Sequence, residues 1–363
     1  MKKYSLFLFT LITFSSVAQE KNSQIQTQLD KIIANKTVMG VATACSVDGK
    51  TLAQAAAGYA DKGTGKQFEI DTKLRMGSIA KTMTALAIMQ LVEQGKLDLD
   101  IPIQTYIPDY PKHDKTQITT RHLLSHTSGI SGYKDGRESN TTIEYSNLHD
   151  ALSLFKDRDL LFEPGTQYSY TTYGYTVLGA IMESVTGQTF EAYMQENIFA
   201  KADMTNTGIE KFGEELKNES KLYHRNNGKG KAKPTKENNL SNRIPAGGFY
   251  TTVVDMLKFG NAVLNNKFVK EETLTLMREH HSLEKVNNGY GFGWFLYGRG
   301  ENPEGALIGH PGGQTGNTSQ LFILPKRKIV SVILANTSRA QSSIDPIAGE
   351  LLTMALEHSK LED

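Results

Sequence analysis

Met76-Gly77-Ser78-Ile79-Ala80-Lys81 decides the reading of this chain, because a long apolar helix follows it: Met83, Leu86, Ala87, Met89, Leu91 and Val92, closed by Gly95. Glycine just past the last periodic residue marks a helix C-terminus. Serine at i and lysine at i+3 lie one turn apart on the same face. Ser78 then stands at the helix start, where free backbone N–H groups and the positive dipole end favour an oxyanion. Lys81 rides on a helix that is apolar nearly all round, so burial is expected. Desolvation lowers a lysine pKa from its usual value of about 10.4. A neutral amine one turn from a hydroxyl can take its proton. Taken alone, Ser-x-x-Lys is short enough to arise by chance, and Ser78 would serve equally as a helix N-cap.

Around this helix the composition is that of a folded chain. Its 363 residues are 39% hydrophobic and 22% charged, with a formal net charge of +1. At about 150 residues per domain that length makes two or so compact units, and the balance excludes a disordered chain. Near-neutrality gives no general attraction to nucleic acid or acidic membranes. Cys45 is the only cysteine, which excludes an intrachain disulfide and any multi-cysteine zinc or iron–sulfur site. Residues 1–18 read as a signal peptide: Lys2 and Lys3, a short apolar run from Leu6 to Phe14, then Ser16-Val17-Ala18. The run falls short of the roughly 20 residues that span a bilayer. Cleavage after Ala18 and export, periplasmic or secreted, are the expectation, with no integral membrane segment in the mature chain. No cysteine follows to carry a lipid.

Ser23 to Asn35 has apolar residues at helical spacing. Met39 to Val47 and Thr51 to Tyr59 read as strands joined across Asp48-Gly49-Lys50, a strong hairpin signal because the turn needs positive φ. Near the other end, Ala306 to His310, Thr318 to Leu324 and Ile329 to Ala335 read as strands, and Ile344 to Glu357 as a final helix. The stretch from Ser78 to Leu240 reads as mostly helical. The expected fold is therefore α+β. An antiparallel sheet built from both chain ends, with flanking helices, uses residues 19–75 and 245–363, and residues 76–244 form an inserted helical lobe. Lys217 to Lys236, polar and basic without interleaved aromatics, reads as a solvated hairpin or loop rather than a nucleic-acid patch.

Two further segments bear on chemistry. Glu163-Pro164-Gly165-Thr166-Gln167-Tyr168-Ser169-Tyr170-Thr171-Thr172-Tyr173-Gly174-Tyr175 is a turn entering a helix, and Gly309-His310-Pro311-Gly312-Gly313 lies on a C-terminal strand. With Ser-x-x-Lys, in this order, they resemble the three active-site elements of the penicillin-recognising serine hydrolases. The nearer branch holds class C β-lactamases, D-alanyl-D-alanine carboxypeptidases, esterases and serine β-lactamase-like proteins. Arg121 to Gly129, Ala246 to Thr252 leading into Asp255, and Gly289 to Trp294 support the resemblance, which covers residues 25 to 358.

The resemblance implies an α/β sandwich of the β-lactamase/transpeptidase type and an acyl-enzyme mechanism without a cofactor or metal. By position it makes Ser78 the nucleophile, Lys81 its base and Tyr170 the ring whose phenolate moves protons. Tyr168, Tyr173 and Tyr175 are left structural. Gly313 matches the second oxyanion donor beside Ser78, and Gly312, His310 and Thr172 match the substrate-binding positions. Two departures stand out. Thr172 replaces an asparagine and lacks its two N–H donors. His310 replaces a lysine and carries charge only below a pKa near 6.5, although Arg299 could supply the missing cation. Both changes weaken the grip on a β-lactam. The expected activity is a peptidase of D-alanyl-D-alanine carboxypeptidase type. A short-chain esterase, a weak β-lactamase and a non-catalytic penicillin-binding or scaffold protein are the alternatives. Partners are then small peptide, ester or β-lactam substrates. His122 and His126 read as structural, His280-His281 as surface residues lacking metalloprotease spacing, and Glu163 as turn chemistry.

Overall fold

Every residue of Gly40–Val47 (β1) is buried, with Val41 and Cys45 facing one way and Ala42 and Ala44 the other. A strand buried on both faces belongs in the middle of a sheet covered on both sides. The computed structural model describes residues 21–361, apart from residues 114, 284, 286–288 and 299–306. The leader read in residues 1–18, and Arg299 with it, lie outside the described residues.

The partners of β1 come from both ends of the sequence. Lys50–Asp61 (β2) pairs with it across the hairpin, whose Asp48 and Gly49 have φ of 47° and 77°. On the other side lies Ile329–Ala335 (β8), antiparallel from Val41 opposite Ala335 to Val47 opposite Ile329. Lys66–Gln67 (β3), Gly289–Tyr290 (β4), Phe295–Tyr297 (β5), Leu307–Gln314 (β6) and Asn317–Leu324 (β7) complete eight strands in the order β3-β2-β1-β8-β7-β6-β5-β4. All neighbouring pairs are antiparallel. The α+β class and the antiparallel sheet from both chain ends stand as read. β6 runs further than expected, through the glycines to Gln314.

Two apolar layers cover this sheet. On one face Ile25 and Leu29 of residues 21–34 (α1) meet Ile344 and Leu351 of Gln341–Leu361 (α5), over Val41, Cys45 and Ile333. On the other, Val253–Leu264 (α4) packs over β1 and β8, and Ala80–Glu93 (α2) and Thr172–Thr186 (α3) join the same apolar core as Ala42, Ala44, Val330 and Val332. The helix α2 is buried from Ala80 through Leu91, as its all-round apolar sequence requires. No helix among the described residues is long and apolar enough to cross a membrane.

The inserted segment is less helical than its sequence suggests. Between α2 and α3 the α-helices are Thr120–Leu124, Gly136–Ser139 and Leu148–Leu152, each opened by a capping side chain from Thr119, Asp135 or Asn147. These polar and glycine-rich stretches cap their helices early, and Leu123, Ile130 and Phe155 reach the core from short turns. The basic run contains a hairpin, Tyr223–Asn226 with Lys229–Pro234, turning at Asn227 and Gly228. It is joined in parallel to Thr337–Ser338, just past β8, so it lies against the sheet.

Helix α4 approaches β8 so closely that a Cβ at Gly260 would lie 2.3 Å from Val330 Cγ1. Alanine is favoured over glycine inside a helix by about 1 kcal/mol, whereas overpacking costs about 1–3 kcal/mol. Gly260→Ala is therefore expected to lower the urea midpoint. An unchanged or raised midpoint would mean that α4 is free to shift away from β8.

Candidate active site

The chain enters α2 through a 3₁₀ turn, Gly77–Ile79, which places Ser78 one turn ahead of Lys81. Ser78 caps nothing: the N-cap of α2 is Ile79, without a side-chain cap bond. Its hydroxyl instead lies 3.1 Å from Lys81 Nζ. Lys81 is wholly buried and donates to the Ala246 carbonyl at 2.9 Å. Its ammonium position lies over the rings of Tyr170 and Tyr175, 4.9 and 5.7 Å from their centres. Those rings favour the charged form. Burial outweighs them, and with the positive charge of Arg243 it brings the Lys81 pKa down to about 7. In the neutral amine one N–H still serves Ala246, and the lone pair is free to accept the Ser78 proton.

Tyr170 closes the triad from the start of α3, its hydroxyl hydrogen-bonded with Ser78. The residue is 37% exposed and lines the cleft. Protein atoms crowd the phenol and push its pKa well above the ordinary value, against the lowering effect of Ser78. Solvent at the open face moderates that shift, and a substrate filling the cleft would restore it. The crowding around the ring favours the neutral phenol.

The oxyanion side depends on how closely β6 passes the 3₁₀ turn. Gly77 has φ of 59°, and a Cβ there would lie 2.7 Å from the Gly313 nitrogen. The Gly313 N–H thus sits beside the peptide that leads into Ser78. A Cβ at Gly312 would meet Ser319 Oγ at 2.0 Å and the Met76 carbonyl at 2.2 Å, while one at Gly313 would meet nothing within 4 Å. Gly312 is small for packing, and Gly313 leaves the cleft open.

This geometry lines a cleft of about 890 Å³ with Ser78, Tyr170, Thr172, Gly312 and Gly313. The sequence relationships agree with it. Residues 25–351 match the beta-lactamase family. The chain belongs to that family. It is 29% identical over 379 residues to the human mitochondrial serine beta-lactamase-like protein LACTB, covering 79% of this chain and 69% of that one. It is 28% identical to penicillin-binding protein 4 of Amycolatopsis lactamdurans, covering 90% and 88%. Among solved structures, the D-amino acid amidase of Ochrobactrum anthropi in complex with L-phenylalanine amide has a TM-score of 0.78 at 25% identity, covering 94% and 99%.

Against that beta-lactamase-family frame, one position read from the sequence turns out differently. His310 is 1% exposed and does not line the cleft. Its Nδ1–H donates to the Pro311 carbonyl at 2.7 Å, and its Nε2 accepts from Tyr290 Oη at 3.1 Å. Burial and nearby Lys81 lower its pKa to about 3. It is a neutral ring packed near Tyr170, and no substrate cation. His126 is also buried; its Nδ1 accepts from the Thr171 N–H at 3.3 Å and its ring lies 4.3 Å from that of Tyr170. Tyr173 and Tyr175 are fully buried, with Tyr175 donating to the Leu124 carbonyl. Tyr168 is half-buried beside His126. Glu163 accepts from Thr116 Oγ1 at 2.5 Å in its exposed turn, away from the cleft. His122 caps its short helix. His280 and His281 bond to Ser282 and to the Leu276 carbonyl, and among the described residues no group of three or more His, Cys, Asp or Glu could hold a metal.

The sequence reading gave no role to Ala246, Asn317 or Arg243. The Ala246 signal was available, since its segment supports the family resemblance. Asn317 and Arg243 carried none, because the turn and the loop that place them have no local pattern.

Only the neutral form of Lys81 can accept the Ser78 proton, so the rate at which an acylating reagent labels Ser78 is expected to rise with pH through a midpoint near 7. Lys81→Met should slow labelling by about 10²–10⁴-fold. Between pH 7 and 10.5 the unfolded chain holds a proton on Lys81 that the folded chain does not, so stability rises with pH across that window. Lys81→Met should flatten this rise, measured by denaturant unfolding at several pH values. Gly313→Ala should fold normally and lose labelling, whereas Gly312→Ala should lose stability as well.

Proposed function

We propose that this chain is a serine hydrolase that cleaves amides or esters through an acyl-enzyme, and that the leader in residues 1–18 takes it outside the cytoplasm. The observation that carries the reading is the Ser78 hydroxyl, held 3.1 Å from an amine whose pKa lies near 7. Lys81 takes the Ser78 proton as Oγ attacks the carbonyl. The resulting oxyanion faces the N–H groups of Ser78 and Gly313. The Tyr170 phenol gives its proton to the departing nitrogen or oxygen, and the Lys81 ammonium restores it. Lys81, neutral again, takes a proton from the water that attacks the acyl group and returns it to Ser78 Oγ as the acyl–oxygen bond breaks.

The preferred substrate is a peptide or D-amino-acid peptide, with a short ester as the next choice. Thr172 offers one hydroxyl where an amide would give two donors. His310 adds no positive charge. A β-lactam side-chain amide would lose a partner at Thr172, and such a bond contributes about 1 kcal/mol.

A fluorophosphonate is expected to add one phosphonyl group to Ser78, read by intact mass and peptide mapping, and Ser78→Ala should remove the adduct. The same preparation should hydrolyse a D-Ala-D-Ala peptide or a short nitrophenyl ester with kcat/KM at least about tenfold above that for a cephalosporin. A folded wild type that takes no label would overturn the proposal.

A further inference from the structure

Tyr170 has to be aimed at Ser78, yet it stands in no helix or strand: residues 161–171 form an irregular segment that ends where α3 begins. A reacting group on a loop needs neighbours that lock it in place. His126 supplies the lock. Its carbonyl accepts from the Ser169 N–H at 2.9 Å, and its Nδ1 accepts from the Thr171 N–H at 3.3 Å. One residue thus holds the chain on both sides of Tyr170, and its ring lies 4.3 Å from the Tyr170 ring. The residues after it extend the hold. The Thr127 carbonyl accepts from the Gly165 N–H and the Gly129 carbonyl from the Leu161 N–H, both at 2.8 Å.

The local backbone and the ring's surroundings suit this task. His126 has φ of 60°, a conformation that residues with side chains adopt rarely and that persists where the surroundings fix it. The residue is wholly buried and outside the cleft lining. Besides Tyr170, its ring meets those of Tyr290, Tyr175 and Tyr168, at 4.7, 5.2 and 6.1 Å between centres. Because Nδ1 accepts, the neutral ring carries its hydrogen on Nε2. An imidazolium would instead turn a donor toward the Thr171 N–H. Burial foremost, then the charges of Lys81 and His310, hold the pKa well below its ordinary value and keep Nδ1 an acceptor. Phenylalanine would serve for packing alone; the bond to Thr171 needs a nitrogen at that edge of the ring.

We infer that His126 is the positioning residue of Tyr170, keeping its hydroxyl within hydrogen-bonding reach of Ser78 by gripping the chain on both sides and backing the ring. This rests on the hydrolase reading for what the Tyr170 phenol does, which is to give its proton to the leaving group. His126 touches no substrate and acts through Tyr170. A displacement of about 1 Å in such a group can cost about 10²-fold in rate. The cost falls where the leaving group needs the proton. An amide nitrogen needs it, whereas a nitrophenolate departs as a stable anion.

The test compares one acyl group carried on an amide and on a nitrophenyl ester. His126→Phe keeps a ring and removes the acceptor. His126→Asn places an acceptor where Nδ1 stands and tolerates positive φ. In His126→Phe, kcat/KM should fall about 10²-fold for the amide and less than about fivefold for the ester. His126→Asn should recover at least about tenfold of the amide loss. In a Tyr170→Phe background, His126→Phe should cost the amide less than about threefold more, since two residues acting as one unit do not add. A merely structural His126 would slow both substrates alike, and its loss would multiply with that of Tyr170→Phe. Either result, or an asparagine variant no better than phenylalanine, overturns the inference. Should His126→Phe not fold, His126→Leu takes its place, with the outline of asparagine and no acceptor. If folded wild type hydrolyses neither substrate, the hydrolase reading fails. In that case, or if it takes only the ester, crystal structures of the variants decide the placement. The Tyr170 hydroxyl should leave hydrogen-bonding distance of Ser78 Oγ in His126→Phe and keep it in His126→Asn. A hydroxyl that stays in place without the acceptor overturns the inference.

Discussion

A primary amine sealed into the protein interior with no carboxylate beside it is the constraint on which the rest of this structure depends. Lys81 has no acidic partner among the described residues, and the ionic influence acting on it is the like charge of Arg243. A carboxylate there would have raised the pKa and locked the proton in place. The fold supplies a carbonyl, two aromatic faces and a hydroxyl. These satisfy the amine's hydrogen bonds without fixing its charge, so a small difference in free energy separates its two protonation states near neutral pH. The apolar surround of α2 is what makes that possible.

Holding such an amine requires rigid neighbours from distant parts of the chain. The Ala246 carbonyl that anchors Lys81 and the Pro245 carbonyl that accepts from Thr84 at 2.7 Å pin two turns of α2 to one short helix, Ile244–Gly247. On the other side, Ser319 donates to the Met76 carbonyl at 2.8 Å and Met76 donates to Phe249 at 3.0 Å. The peptide before Ser78 is thus clamped between the central sheet and the small sheet formed by Leu74–Arg75, Phe249–Thr251 and Gly208–Ile209. The sheet drawn from both chain ends is therefore part of the site, because β6 brings Gly313 to the turn only while β7 and β8 hold it there.

What could be read in the sequence was local or repetitive. Ser78 and Lys81 are three residues apart on one helix, so their meeting follows from helical geometry. The hairpin at Asp48-Gly49 and the alternating faces of β1 and β8 are likewise properties of neighbouring residues. The charge of His310 was not legible, because it depends on burial and on Tyr290, which lies twenty positions away in sequence and donates to its ring. Nor could the basic run be placed, since its hairpin is positioned by pairing with Thr337–Ser338 across more than a hundred residues. Its solvated look from composition was half right. Several of its side chains are exposed, while Arg225 turns into the cleft.

The two buried cations of the site are better regarded as a pair than separately. The positive field of Arg243 falls on Lys81, the nearby amine whose pKa it helps to lower. In the empty cleft this favours the neutral amine, the form able to accept the Ser78 proton. This coupling needs no movement of the backbone, only two charges sharing one poorly screened interior.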